Sequence, residues 1–220
     1  PVQEKKAKNG YDIELTIDSN IQMYLENAIN ELINNYSTDW VTVTVANAKT
    51  GAIVGSASNP TFDANKLNIT NYNNPLVAYT YEPGSTMKIF SFASSIEEGK
   101  YNGSETYNSG RIVVDDYEIK DWNDKGWGTI TYDVGFTYSS NVAATLLAQK
   151  LGKEKLLDYY TDLGFGQKTG IELLGEMKGK VNFMYASELA AASYGQGITI
   201  TPIQMIQALT CLTNNGTVLK

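Results

Sequence analysis

The sequence predicts an α/β (α+β) fold, a helical subdomain joined to a small antiparallel sheet. Three observations carry this. Residues 40–46 alternate apolar and polar side chains, 52–57 read as a second short strand, and the turn between them ends in Gly51, the pattern of a β-hairpin. Several longer runs place apolar residues at helical spacing. At 220 residues with 42% hydrophobic side chains, the chain is large enough to bury one substantial core.

Taken in order, residues 1–10 read as a linker or boundary segment. Residues 11–17 alternate as a short extended segment. Asp18 or Ser19 can cap a helix over 21–36, in which Ile21, Leu25, Ala28, Ile29, Leu32 and Ile33 follow helical spacing. In the hairpin, Val41, Val43 and Val45 stand against Thr42 and Thr44. Residues 59–79 carry Asn-Pro twice, at Asn59-Pro60 and Asn74-Pro75, and read as one long loop. A helix starts at Ser85. Residues 99–110 read as loop and 111–119 as short strands. The stretch 122–128 is rich in Gly, Asp and Trp. Its Trp122 and Trp127 either line a cleft wall or cover the core, as large aromatics usually do. Residues 133–149, 153–163, 184–194 and 202–212 read as helices. No internal repeat or low-complexity segment occurs.

Composition excludes several classes of function. Asp and Glu number 24 against 17 Lys and Arg, a net charge of −7, and no basic tract offers a footprint for nucleic acid. No run of about eighteen apolar residues spans a membrane. Histidine is absent, so there is no Ser-His-Asp triad, no Cys-His pair and no His-ligated zinc. Any acyl-transfer base must be Lys, Asp, Glu or Tyr. The lone Cys211 lies in an apolar run and reads as a small buried hydrophobe.

Tyr81-Glu82-Pro83-Gly84-Ser85-Thr86-Met87-Lys88 is the stretch with chemical content. Pro83 and Gly84 allow a sharp entry to the helix. Ser85 and Lys88, three apart, share one helical face. A serine hydroxyl attacks well only when a base takes its proton. Lysine, with an ordinary pKa of about 10.4, becomes that base when burial or a neighbouring cation lowers it by roughly 3 units. Downstream, Tyr138-Ser139-Ser140-Asn141 precedes the apolar run from Val142 to Ala148. In isolation, Ser and Asn there are helix caps.

Together the two motifs resemble the penicillin-binding protein and serine β-lactamase group, whose marks are Ser-x-x-Lys, then Ser-x-Asn, then Lys-Thr-Gly. Leu15-Thr16-Ile17-Asp18-Ser19-Asn20-Ile21-Gln22 is similar to the opening of the transpeptidase domain. Ser193-Tyr194-Gly195-Gln196-Gly197 and Thr201-Pro202 resemble the same domain. The resemblance covers residues 15–215 and points to the class B proteins, which are serine-type D,D-transpeptidases. It implies that Ser85 is the nucleophile and Lys88 its base. Ser139 would relay a proton, and Asn141 would hydrogen-bond Lys88 and the substrate backbone. Trp122 is the candidate further substrate contact. The implied substrate is the peptidoglycan stem peptide, and β-lactam antibiotics would acylate Ser85. The resemblance implies no metal and no organic cofactor. It implies other cell-wall synthesis proteins as partners, no nucleic acid, and an extracytoplasmic location on the bacterial membrane through an N-terminal anchor absent from this sequence.

Lys-Thr-Gly occurs twice, and neither copy fits. Lys49-Thr50-Gly51 lies in the hairpin turn before Ser85. Lys168-Thr169-Gly170 ends a glycine-rich loop followed by more helices. No P-loop is present there, because no Gly-Lys-Ser/Thr opens a helix. In the family the functional triplet follows the helix that here spans 202–212. The expectation is therefore a partial transpeptidase domain over 11–220, with two strands of a five-stranded sheet. The remaining strands would belong to a longer protein or another chain. Without their oxyanion donor, acylation should be at least about 10²–10³-fold slower than in the complete domain.

Two other functions compete. A serine β-lactamase of class A has Glu on a loop after Ser-Asp-Asn. Here Ser140 holds the middle position and no Glu-x-x-Leu-Asn follows. A β-lactam sensor or a non-catalytic cell-wall scaffold would share the fold, and a sensor would keep Ser85 and Lys88.

Overall fold

The computed structural model describes residues 6–219. Residues 1–5 of the expected linker lie outside them, and 6–10 are exposed without regular structure. Helix α1 (Ser19–Asn35) starts where Asp18 accepts the N–H groups of Asn20 and Ile21. The hairpin forms as expected, with β1 (Val41–Ala46) antiparallel to β2 (Ile53–Asn59). Asn47 closes its turn by accepting the N–H groups of Lys49 and Thr50. The valine alternation does not produce one buried face. Every β1 residue stays partly accessible, and Val45 is exposed.

Residues 11–17 form no strand. They lead α1 onto β2, where Asp18 N–H donates to the Val54 carbonyl and Thr16 Oγ1 to the Ile53 carbonyl. Gln22 then exchanges two hydrogen bonds with the Ser56 backbone. One edge of β2 is thus covered by α1, while β1 pairs only with β2 among the described residues.

The loop expected over 59–79 contains one helical turn, α2 (Pro75–Ala78). Asn74 caps it and Pro75 occupies its first turn, where a missing N–H costs nothing. Leu76 and Val77 are buried. A 3₁₀ turn (Gly84–Met87) then runs straight into α3 (Lys88–Glu97). Met87, Phe90 and Phe92 of this element are buried, each contributing about 2 kcal/mol.

Beyond α3, two small sheets frame the next corner. The expected strands appear as β4 (Arg111–Val114) and β5 (Tyr117–Lys120). The supposed loop 99–110 also holds β3 (Thr106–Asn108), paired with β6 (Thr129–Thr131). The helical run from 133 is broken into α4 (Tyr132–Thr137) and α5 (Asn141–Leu151). Helices α6 (Lys153–Asp162), α7 (Ala186–Ser193) and α8 (Pro202–Thr213) follow close to the expected bounds. The main core gathers Met87 from the 3₁₀ turn, Phe90 from α3, Leu156 and Tyr160 from α6, and Phe165, Ile198 and Ile200 from loops. Cys211 packs half-buried against it, and burial pushes its thiol pKa up, as expected for a small hydrophobe.

Candidate active site

Ser85 sits on the 3₁₀ turn and is exposed, whereas Lys88, one turn on, is only 3% exposed. The sharp entry comes from Gly84, at φ +57°. A second glycine makes room for it. Gly195 (φ +79°) lies against Gly84, whose N–H donates to the Gly195 carbonyl at 3.0 Å. Gly197 N–H donates to Glu82, and Tyr81 pairs with Ile200 through two backbone bonds. The Ser193–Gly197 stretch is therefore the strut under the Ser85 turn.

Lys88 Nζ makes three contacts: Ser85 Oγ at 3.1 Å, Ser139 Oγ at 3.0 Å and the Ser139 carbonyl at 2.6 Å. An ammonium has three donors, so these contacts use all of them. The carbonyl can only accept. When Lys88 is neutral, its two remaining N–H groups serve the carbonyl and one hydroxyl, and its lone pair accepts from the other. With Ser85 as that donor, the amine is placed to take the serine proton. Burial lowers the Lys88 pKa to about 8, partly opposed by the negative charge of Asp121. The lysine thereby moves most of the way to a working base.

Ser139 reaches Lys88 with both oxygens because its backbone is left-handed, at φ +55°. The cause is local. Ser140 N–H donates to the Gly135 carbonyl and Ser139 N–H to the Phe136 carbonyl. This is a Schellman cap at the end of α4, where glycine is the usual residue at the left-handed position. A serine there stores strain at a functional corner. Ser140 is the N-cap of α5, its Oγ accepting from Ala143 N–H. The cap reading of this tripeptide therefore applies to Ser140, while Ser139 meets Lys88.

Asn141 departs from the expectation of a bond to Lys88. Its side-chain amide donates to the Lys120 carbonyl at 2.8 Å, and Lys88 has no N–H left for it. Trp122 does not cover the core. It is 72% exposed, held by a bond from its indole N–H to the Tyr138 carbonyl beside Ser139. Trp127 packs edge-on against Trp122 and tilted against Tyr138, so aromatic rings flank the Ser139 corner.

A site residue that the sequence reading missed is Asp121. It is buried and follows β5 directly. Its only local signal is adjacency to Trp122, because the groups it binds are distant in sequence.

The chain spans about a third of the length of the curated relatives it matches. It is 37% identical to Stage V sporulation protein D of Bacillus subtilis, over 96% of this chain and 34% of that protein. It is 27% identical to the probable peptidoglycan D,D-transpeptidase FtsI of Caulobacter vibrioides, over 98% of this chain and 37% of that protein. The penicillin-binding protein transpeptidase domain, as a family model, matches residues 41–220. The chain belongs to the penicillin-binding protein transpeptidase family. The fold agrees. The crystal structure of penicillin-binding protein 2X from Streptococcus thermophilus superimposes with a TM-score of 0.87 at 35% identity, covering 97% of this chain and 32% of that one.

Neither Lys-Thr-Gly copy of this transpeptidase-family chain has the surroundings of a substrate clamp. Thr50 is tied to Asn47 in the hairpin turn. Thr169 gives both its N–H and its hydroxyl to the buried Glu176, which also accepts Gly170 N–H. A cleft of about 1150 Å³ opens among β2, α2 and α8, with Gly51, Thr169 and Gly170 on its wall. Its lining includes none of Ser85, Lys88, Ser139 or Asn141.

Proposed function

We propose that this chain is the nucleophile-bearing part of a peptidoglycan D,D-transpeptidase. The contact of Lys88 Nζ with Ser85 Oγ and both oxygens of Ser139 carries the proposal. Ser85 attacks the carbonyl of the penultimate D-Ala of a stem peptide, and its proton passes to Lys88. The C–N bond to the terminal D-Ala breaks, and that amine leaves with a proton relayed through Ser139. An amine of a neighbouring strand then attacks the Ser85 ester, forms the cross-link and frees the serine. Asn141 and Trp122 hold the peptide beside the Ser139 corner. β-Lactams enter by the same first step and remain as an ester on Ser85.

The domain is partial in this reading. Further strands add to the open edge of β1, since the start of α1 covers the edge of β2. They bring the Lys-Thr-Gly that completes the oxyanion hole. The complete protein works on the outer face of the bacterial membrane, held by an anchor and accompanied by other cell-wall proteins. Among the described residues, no helix is long and apolar enough to cross a membrane.

Intact-mass spectrometry after incubation with a penicillin tests the reading, on this chain and on the full-length protein, each beside Ser85→Ala. The expected result is a penicilloyl adduct on the full-length protein, slower by about 10²–10³-fold or more on this chain, and absent from both variants. No adduct on either form would favour a non-catalytic scaffold. Acylation without cross-linking of stem peptides by the full-length protein would favour a sensor.

A further inference from the structure

Asp121 belongs to neither motif, yet it connects them. We infer that Asp121 is a positioning residue for acylation: its buried carboxylate fixes the Ser139 corner on Lys88 and supplies the counter-charge that Lys88 faces. The inference rests on the reaction proposed above.

The carboxylate is 1% exposed. Its Oδ1 accepts from Ser140 Oγ at 2.8 Å and from Val142 N–H at 3.0 Å, and its Oδ2 from Gly110 N–H at 2.8 Å. Of these donors, Ser140 is the middle residue of Ser139–Asn141 and Val142 follows the segment directly. The third ties the carboxylate to the start of the β4–β5 hairpin, and Asp121 N–H returns to the Gly110 carbonyl. An ionised carboxylate buried this far is stable only with such partners. Ser139 is the residue of the α4–α5 corner with a strained φ, so the corner needs an external hold, and Asp121 provides it through Ser140 and Val142. The same hairpin strand positions Asn141, through the Lys120 carbonyl just before Asp121. One short segment thus holds both Ser140 and Asn141.

The charge acts as well. Lys88 faces the hydroxyl of Ser85 from its own turn and the two oxygens of Ser139 from the α4–α5 corner, all uncharged. The charged side chain that acts on it is Asp121, which favours the ammonium form against burial. The carboxylate therefore limits how far burial lowers the Lys88 pKa.

The acylation rate of the full-length protein by a penicillin, measured from about pH 5 to about pH 10, separates these roles. In the parent the rate rises as Lys88 loses its proton and reaches a plateau. Asp121→Asn removes the charge and turns an amide N–H towards Gly110 N–H, while Oδ1 keeps its partners. The rising limb should move to lower pH, by roughly 0.5 unit or more, and the plateau should fall about tenfold. Ser140→Ala removes one arm of the hold and leaves the charge. Its plateau should fall with the limb unmoved and penicillin binding before acylation unchanged. A limb in Asp121→Asn that coincides with the parent's would overturn the charge role. A Ser140→Ala variant acylating at the parent rate would overturn the positioning role, and it decides the matter alone if Asp121→Asn does not fold. Failure of the parent to acylate at Ser85 would instead overturn the transpeptidase reading.

Discussion

The Ser85 corner and the β1–β2 hairpin show two ways of using glycine and burial. At the corner, backbone lies against backbone, and Gly195 leaves no room between itself and Gly84. Lys88, Ser140 and Asp121 are buried there with hydrogen-bond partners. In the hairpin, Gly55 alone is buried, and its nearest neighbours are side chains of α1, with the Gln22 backbone nitrogen farther off. The Lys88 contacts with Ser85 and Ser139 thus draw on helices, caps and loops and on nothing from β1 or β2. The corner is held by elements that cannot yield, the hairpin by side chains that can. The same substitution, glycine to alanine, should therefore have very different effects in the two places.

Gly195→Ala should have the larger effect. A methyl group there would fall on the Gly84 carbonyl oxygen and within 2.6 Å of its nitrogen, at a φ of +79° that alanine disfavours. Neither backbone can give way without moving the 3₁₀ turn. We expect a loss of about 2 kcal/mol or more in stability and an acylation rate at least about 10²-fold lower. Thermal melts and penicillin acylation check both. Acylation at the parent rate would mean that Ser193–Gly197 is not the strut of the Ser85 turn.

How far the sequence reveals these regions follows from the range of the interactions. Ser85 and Lys88 are three residues apart on one helical element, so their pairing was legible from spacing. Ser139 and Asn141 were legible because their order after Ser85 matches a known pattern, although local chemistry alone reads them as caps. Helices α5, α6 and α8 were legible from apolar periodicity. The turn of α2 was missed because two Asn-Pro pairs read as loop, although Asn74 and Pro75 also make a helix start. Strands β3 and β6 hold three residues each and pair across a long gap, so neither carries a pattern of its own. Asp121 was invisible for a similar reason: Gly110, Ser140 and Val142 are its neighbours only after folding. The expected bond from Asn141 to Lys88 failed because Ser139, in its left-handed conformation, takes two of the three lysine donors.

Ser139→Gly should split stability from activity. Glycine adopts the φ of +55° without strain and is the usual residue of a Schellman cap. The variant should gain up to about 1 kcal/mol in stability. It keeps the carbonyl that accepts from Lys88 but loses the hydroxyl, so penicillin acylation should fall by roughly 10–100-fold. Ser139→Ala loses the same hydroxyl and keeps the strain, so it should match the fall without the gain. A Ser139→Gly variant no more stable than Ser139→Ala would show that the corner stores no strain at this residue.

Gly55→Ala should have the smallest effect and gives the comparison its control. The added methyl group would lie 2.9 Å from Ile21 Cγ2 and 3.0 Å from Leu25 Cδ1. Both are ends of side chains on α1, and small shifts of α1 against β2 relieve the crowding. The cost should be about 1 kcal/mol, read as a lower melting temperature with the fold intact. Penicillin acylation of Ser85 should stay within about twofold of the parent, since no hydrogen bond of Lys88 involves the hairpin. A fall in acylation as large as that in Gly195→Ala would show that the α1–β2 packing reaches the Ser85 turn. The two regions would then be one mechanical unit, and the separation drawn between them would fail.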